Sequence, residues 1–209
     1  MFWHKRIDGQ GKSLRRTLKR LVADKRGVAA VEFAFIAPLL FIMYFLTLEV
    51  SLAIESNKKV GRIGSMVADL ITQQQTMTPS TVDAIMRIGG AILQPYGRSE
   101  PKITVTAITI SPNPGSTTTV TWSRKMQNGS FSAGQAKGSI TTVPATLNVP
   151  GTFLIRVTSE LPYRPIITWS ASGKQALSLE AAFDVINMGE TYYLRPRVST
   201  TVPCTTCPG

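Results

Sequence analysis

Two features of the sequence could support chemistry or specific recognition: a glutamate inside an apolar run, and a pair of cysteines near the C-terminus. Glu32 lies in the stretch RGVAAVEFAFIAPLLFIMYFLTLEVSLA, residues 26–53, five positions after Gly27. Cys204 and Cys207 form a C-x-x-C motif in a tail rich in threonine and proline, and they are the only cysteines. What these residues can do depends on the elements that position them.

A carboxylate within a transmembrane helix costs about 2.5–3.5 kcal/mol on insertion scales, so Glu32 is expected to have a cationic partner or a function. If the chain were cut after Gly27, the new α-amino group of Val28 would lie four residues before Glu32, on the same helix face. Glu32 of the same chain or of an adjacent copy could neutralise that amine, and the second arrangement would set the register between subunits. The alternative is that Glu32 reaches the cytoplasmic headgroups.

The cysteine pair lacks the context of a metal or redox site. A zinc site needs two further ligands, and an oxidoreductase needs a helix N-terminus to acidify its first thiol. Pro203 and Pro208 bracket the pair and indicate extended chain. In an oxidising periplasm we expect a small disulfide between Cys204 and Cys207, with intermolecular pairing and free thiols as alternatives.

Other catalytic patterns are missing from the sequence. The single histidine, His4, lies in the basic N-terminal block, so a histidine triad or histidine metal site is not expected beyond it. No glycine-rich phosphate loop follows a predicted strand, and the acidic residues are scattered. We therefore expect no enzymatic activity, no metal, no cofactor and no small-molecule substrate.

The apolar run has the length of a membrane span. Residues 27–48 carry one charge, and as a helix they would extend ~33 Å, enough to cross a bilayer. Pro38 predicts a bend in this helix rather than its end, because transmembrane helices tolerate proline. A cleavable secretion signal, ending at the small-residue pattern Ser51-Leu52-Ala53, is the alternative.

The charge distribution predicts the orientation of the span. Residues 1–26 contain nine of the 23 Lys and Arg residues and two aspartates, so they carry +7 of the formal net charge of +11. Basic flanks of a span usually stay cytoplasmic, which places the N-terminus inside and residues after about 55 outside. A nucleic-acid-binding arm is less favoured, since no helix-turn-helix or zinc pattern follows the block.

The remainder predicts an α+β fold: a long N-terminal transmembrane and amphipathic helix followed by a small antiparallel, β-rich extracytoplasmic domain. The helix should continue to about residue 74, and a second helix should span 79–93, capped by Thr78 or Ser80. Strands are expected at 102–110, 117–125, 152–163 and 176–186, with a hairpin turn at 111–115 and a loop at 126–150. The aromatic residues of this domain are expected in its core or rim, with a carbohydrate-binding platform as the alternative: Trp122, Phe153, Tyr163, Trp169 and Phe183.

The order K-R-G, V-A-A-V, E-F and an apolar run resembles the prepilin-peptidase site of type IV pilin-like proteins. Gly27, Glu32 and Phe33 fit the glycine before the cut and the fifth and sixth residues after it. More narrowly, residues 21–62, including Pro38, resemble the TadE/TadG-like pseudopilins of the tight adherence system, which assembles Flp pili. Weaker similarity covers residues 154–165 and 194–197.

The resemblance implies cleavage between Gly27 and Val28 by prepilin peptidase, and contacts with other pilin or pseudopilin subunits in the bacterial inner membrane. It implies a structural role in pilus assembly, in which Glu32 and Phe33 serve assembly and register. The alternative is an uncleaved single-pass protein whose outer domain binds an envelope partner or a surface ligand. The expected organisation is a basic cytoplasmic leader (1–27), a transmembrane helix (28–54), an amphipathic helical region (55–95), a β-rich domain (96–198) and a C-terminal tail (199–209).

Overall fold

The computed structural model describes residues 27–113, 117–165 and 185–207. Predictions for the basic leader, for Trp169 and Phe183, and for residues 176–184 of the fourth expected strand lie outside these residues. The chain divides into two compact units, residues 1–48 and residues 49–209. The architecture confirms the predicted α+β class: a long apolar N-terminal helix followed by a small antiparallel sheet.

Helix α1 spans Val28–Thr72 and continues through Pro38, so the proline does not end it. Its stretch in the first unit is apolar and exposed along nearly its whole length. The helix is long and apolar enough to cross a membrane by length and composition. In the second unit the same helix is amphipathic, with Val60, Ile63, Val67 and Ile71 fully buried at helical spacing.

Helix α2 spans Pro79–Ala91, and Thr78 is its N-cap, since its side chain accepts a hydrogen bond from the amide of Thr81. Proline at the first helical position and a threonine cap form a typical helix start. The helix ends slightly earlier than expected. On its side facing the sheet, Asp83 forms two hydrogen bonds of 2.8 and 2.7 Å with Arg124, and that pairing raises the pKa of the guanidinium.

Five antiparallel strands form the sheet, in the order β3-β2-β1-β4-β5. Their bounds are Lys102–Ile110 for β1, Thr118–Gln127 for β2, Ser130–Ala133 for β3, Phe153–Tyr163 for β4 and Ile186–Leu194 for β5. The predicted antiparallel pairing of β1 with β2 is confirmed, and residues 114–115 of the predicted turn lie outside the described residues. Strands β1, β2 and β4 match their predicted positions closely because β-branched residues dominate them.

Two strands were not predicted. The segment 126–150, predicted as a loop, contains β3, which pairs with β2 through a two-residue turn at Asn128 and Gly129. Both turn residues have positive φ, 50° and 69°, as Asn-Gly hairpin turns require. Strand β5 follows the expected fourth strand and shares only Ile186 with it. Its Asn-Met-Gly-Glu start disfavours a strand, whereas pairing with β4 along nine residues stabilises one.

Both helices contribute to one core on one face of the sheet. The buried α1 residues cluster with β1, β2 and β4 side chains, including Trp122, Phe153 and Tyr163, which confirms those three aromatics as core residues. Close approach of α1 requires glycine at position 64, where an added Cβ would lie 2.8 Å from Tyr192 Cδ2 and 2.9 Å from Ser159 Oγ. A smaller cluster of Ile108, Ile110 and Leu154 forms separately.

The C-terminal tail packs against the second unit. The amide of Arg197 donates to the carbonyl of Thr72, and Met77 pairs with Cys204 in a parallel bridge. The indole nitrogen of Trp122 donates a 2.8 Å hydrogen bond to the carbonyl of Val202, which is fully buried. These contacts fix the extended tail on the core.

Candidate functional site

The residues predicted to serve cleavage and assembly lie at the N-terminal end of α1. Gly27 directly precedes the helix, and Val28 is its first residue. Glu32 is the fifth helical residue, so it lies just past the first turn. The spacing of four residues places the Cα atoms of Val28 and Glu32 on the same side of the helix, about one turn apart.

The side chains of this segment point outward from the helix. Glu32 is exposed, Phe33 is 66% exposed, and Pro38 is exposed between apolar neighbours. Among the residues that the structure describes, no cation forms an ion pair with Glu32. This segment, residues 27–48, is an apolar surface with one carboxylate near its beginning, which suits packing against lipid or other helices.

Cys204 and Cys207 lie elsewhere, in the second unit, and their sulfurs form a disulfide. Both residues are half-buried and pack against the main core. The disulfide therefore closes a small loop at the place where the tail pairs with Met77. In this arrangement the disulfide helps to hold the tail.

The residue that follows the span is part of a polar and aromatic cluster that the sequence did not predict. Glu49 is 8% exposed, and Tyr163 donates a 2.6 Å hydrogen bond to its Oε1 atom. The ring of Tyr163 stacks on Tyr96 with 5.2 Å between ring centroids. The guanidinium of Arg98 lies over both rings and 4.0 Å from Glu49 Oε1. We call Glu49, Tyr96, Arg98 and Tyr163 the junction cluster.

The cluster is electrostatically coupled. Burial raises the pKa of Tyr163 to about 12, and its hydrogen bond to Glu49 acts in the same direction. Arg98 also donates a 2.7 Å hydrogen bond to the carbonyl of Arg164, and the amide of Arg164 donates to the hydroxyl of Tyr96. An acidic residue directly after an apolar span is the one sequence feature that could have indicated this cluster.

The described residues contain no group of three or more His, Cys, Asp or Glu side chains that could hold a metal ion. A shallow cavity of about 290 Å³ opens near the ends of β1, β4 and β5. Lys102 and Glu160 line it and pair with each other at 2.6 Å, so their charges are already matched. Asn128 and Asn187 add polar lining. None of the predicted site residues lines this cavity.

Comparison with known proteins supports one part of the chain. No curated protein and no solved structure matches it. Residues 27–60 match the sequence model of the family described as TadE-like protein. That segment contains Gly27, Val28, Glu32, Phe33 and Pro38, and it extends past Glu49. The match confirms the resemblance drawn from the sequence over residues 27–60 and suggests involvement in tight adherence pilus assembly.

Proposed function

We propose that the protein is a pseudopilin or minor pilin-like structural component of tight adherence pilus assembly, and not an enzyme. The observation that carries this proposal is the coincidence of the TadE-like match at residues 27–60 with the exposed, apolar part of α1. A surface of this kind is stable in lipid or against other apolar helices, but not in water. Its partners in the proposal are the inner membrane and other pilin or pseudopilin subunits.

In this proposal the chain crosses the inner membrane once. The basic block of residues 1–26 stays cytoplasmic, and the unit that begins at Glu49 lies in the periplasm or outside the cell. An oxidising compartment is compatible with the disulfide of Cys204 and Cys207. The buried β-sheet core gives the outer domain a fixed shape with which it can contact neighbouring subunits.

Prepilin peptidase is the proposed processing enzyme, and it would cut between Gly27 and Val28. The new amine of Val28 would then lie one turn from the carboxylate of Glu32. In low dielectric such a charge pair is strongly favoured over either group alone. Pairing with Glu32 of an adjacent copy would fix the stagger between packed helices, while Phe33 and the kink expected at Pro38 would shape the contact.

The test is the N-terminus of the protein extracted from membranes of cells that contain an active peptidase. We expect N-terminal sequencing and intact mass to show a chain that begins at Val28. Gly27→Leu should retain the full precursor mass, and it should not disturb the fold, because no atom lies within 4 Å of a Cβ added at Gly27. Gly97→Ala, in the second unit, is the matched control and should be processed normally.

An intact Met1 in wild-type protein would contradict processing. That result would favour the alternative function, an uncleaved single-pass protein whose outer domain binds an envelope partner or a surface ligand. Recovery of the wild-type chain in the soluble fraction, beginning after Ala53, would contradict the membrane anchor itself and support ordinary secretion.

A further inference from the structure

The junction cluster is tied by the chain to the end of the membrane span. Leu48 is the last residue of the apolar stretch, and Glu49, its covalent neighbour, is already held within the folded domain. Consecutive Cα atoms are about 3.8 Å apart. The side chains that contact Glu49 are therefore confined to within a short distance of the point where the chain leaves the hydrocarbon.

The width of the headgroup layer can be compared with this distance. A bilayer has a hydrocarbon core of about 30 Å and a total thickness of about 40–45 Å, which leaves roughly 5–7 Å of polar layer on each side. The guanidinium of Arg98 lies 4.0 Å from the Glu49 carboxylate. If the span is inserted and Leu48 is its last residue in the hydrocarbon, this guanidinium lies close to the lipid headgroups.

The composition of the cluster suits that layer. Tyrosine rings with a polar tip are enriched at membrane interfaces, and Tyr96 and Tyr163 stack there as a pair. The side chain of Arg98 is 32% exposed, and Arg164, whose carbonyl it binds, is also exposed. An arginine has five donors, so Arg98 can contact Glu49 and the Arg164 carbonyl and still bind a phosphate.

Two lysines follow on α1, of which Lys58 adds positive charge and Lys59 is matched by Glu55. Lys59 is held between Glu55 at 2.9 Å and the carbonyl of Gln94 at 2.9 Å, which anchors the turn before Arg98 to the helix. Lys58 is exposed one residue earlier. Val50 and Ile54 are also exposed, 58% and 53%, and they are among the last residues of the predicted transmembrane helix, 28–54. Apolar side chains followed by lysine are typical of a helix leaving the membrane.

We propose that Arg98 and Arg164 bind the phosphate groups of anionic phospholipids at the membrane surface and so hold the outer domain against the bilayer. This inference rests on the membrane anchor of the proposed function, but not on processing or on a pilus role. The partner in this proposal is a lipid surface and not a protein, because Glu49 directly follows the apolar stretch in the chain.

The test uses the full-length protein in nanodiscs made of phosphatidylcholine alone or with phosphatidylglycerol. Hydrogen–deuterium exchange is followed for peptides that cover residues 94–99. An arginine near an anionic surface contributes about a fivefold change in binding equilibrium, so exchange should slow by roughly fivefold or more in the anionic nanodiscs. High salt should remove most of the difference, because it screens exposed charges.

Substitutions test which residues cause the lipid-dependent difference in hydrogen–deuterium exchange. Arg98→Gln with Arg164→Gln should abolish the lipid-dependent difference. Lys125→Gln with Lys137→Gln removes the same charge from residues outside the cluster and should preserve it. If loss of Arg98 perturbs the fold, Arg164→Gln alone should still reduce the difference, because its contacts with Tyr96 and Arg98 are made by the main chain.

Two results would overturn the inference alone: equal exchange in both lipids, or a difference that survives in Arg98→Gln with Arg164→Gln. Protection that is independent of lipid would indicate a protein contact instead. Failure of the wild-type chain to enter nanodiscs would overturn both the membrane anchor and this inference. The two results above would overturn only the lipid contact and leave the membrane anchor intact.

Discussion

The hydroxyl of Tyr163, at the end of β4, donates a 2.6 Å hydrogen bond to the carboxylate of Glu49, which lies 114 residues earlier in the chain. Both residues are buried, although they belong to different elements. Glu49 lies in α1 directly after the apolar stretch, whereas Tyr163 is the last residue of strand β4. This contact joins the first residue of the outer domain to the element that organises its core.

Replacing Tyr163 by phenylalanine should destabilise the outer domain. The ring still stacks on Tyr96, but Glu49 loses a buried hydrogen bond, which typically costs about 1–3 kcal/mol. Chemical denaturation in detergent, followed by tryptophan fluorescence, measures the change. In a double-mutant cycle with Glu49→Ala, which removes the acceptor, the two substitutions should be non-additive. Additive effects would show that the hydrogen bond contributes nothing to stability.

The free energy of unfolding of the outer domain should also decrease at alkaline pH, because Tyr163 titrates there. Its pKa is raised in the folded protein, from 10.0 to about 12, so the unfolded chain loses this proton first. The folded state then binds more protons between these two values, and the free energy of unfolding decreases as pH rises from 10 towards 12, by an amount on the order of 2–3 kcal/mol. Below pH 10 this contribution is fully present.

Tyr163→Phe should flatten that part of the stability profile, because it removes the titrating group. Tyrosinate absorbance in the wild type should contain a component that appears as pH rises towards 12 and that Tyr163→Phe removes. A profile with the same slope in both proteins would mean that another group causes the alkaline loss.

Much of the fold could be predicted from the sequence, because its strongest elements are locally encoded. Helix α1 follows from one apolar run and a helical repeat, and β1, β2 and β4 follow from β-branched residues. Strand β3 was missed although Asn128-Gly129 is a strong hairpin signature, because the polar composition around it is typical of a loop. The junction cluster depends on a contact between residues 49 and 163, and no local pattern encodes a contact at that separation.

Two helical glycines should respond in opposite directions to alanine. At Gly64 the new Cβ would lie 2.8 Å from Tyr192 Cδ2 and 2.9 Å from Ser159 Oγ, and overpacking of this kind costs about 1–3 kcal/mol. At Gly90 the nearest atom, Met126 Cε, is 3.4 Å away, so Gly90→Ala should stabilise by about 0.5–1 kcal/mol through helix propensity. Thermal unfolding of both variants compares them; stabilisation by Gly64→Ala would contradict the close packing of α1 on β4 and β5.

Reduction of the disulfide between Cys204 and Cys207 should loosen the tail without unfolding the domain. The loop it closes is short, so the chain-entropy estimate for its contribution is about 2 kcal/mol. Loosening should expose Trp122, whose indole binds the Val202 carbonyl, and shift its fluorescence to longer wavelength. Cys204→Ser with Cys207→Ser should reproduce the shift, whereas Thr206→Ala should not. Unchanged fluorescence in both the reduced protein and the serine variant would show that backbone contacts alone hold the tail.

Glu32→Ala should separate membrane insertion from assembly. Insertion should be at least as efficient as in the wild type, because a charge that costs about 2.5–3.5 kcal/mol is removed. Assembly should weaken roughly five- to thirtyfold if the carboxylate pairs with the amine of a neighbouring copy, since polar contacts between membrane helices contribute about 1–2 kcal/mol. Glu55→Ala is the matched control, because Glu55 is an exposed residue of the same helix and pairs with Lys59. Crosslinking between subunits and pilus counts in cells that carry each variant measure the outcome. Normal assembly of Glu32→Ala would leave Glu32 as a residue that only reaches the headgroups.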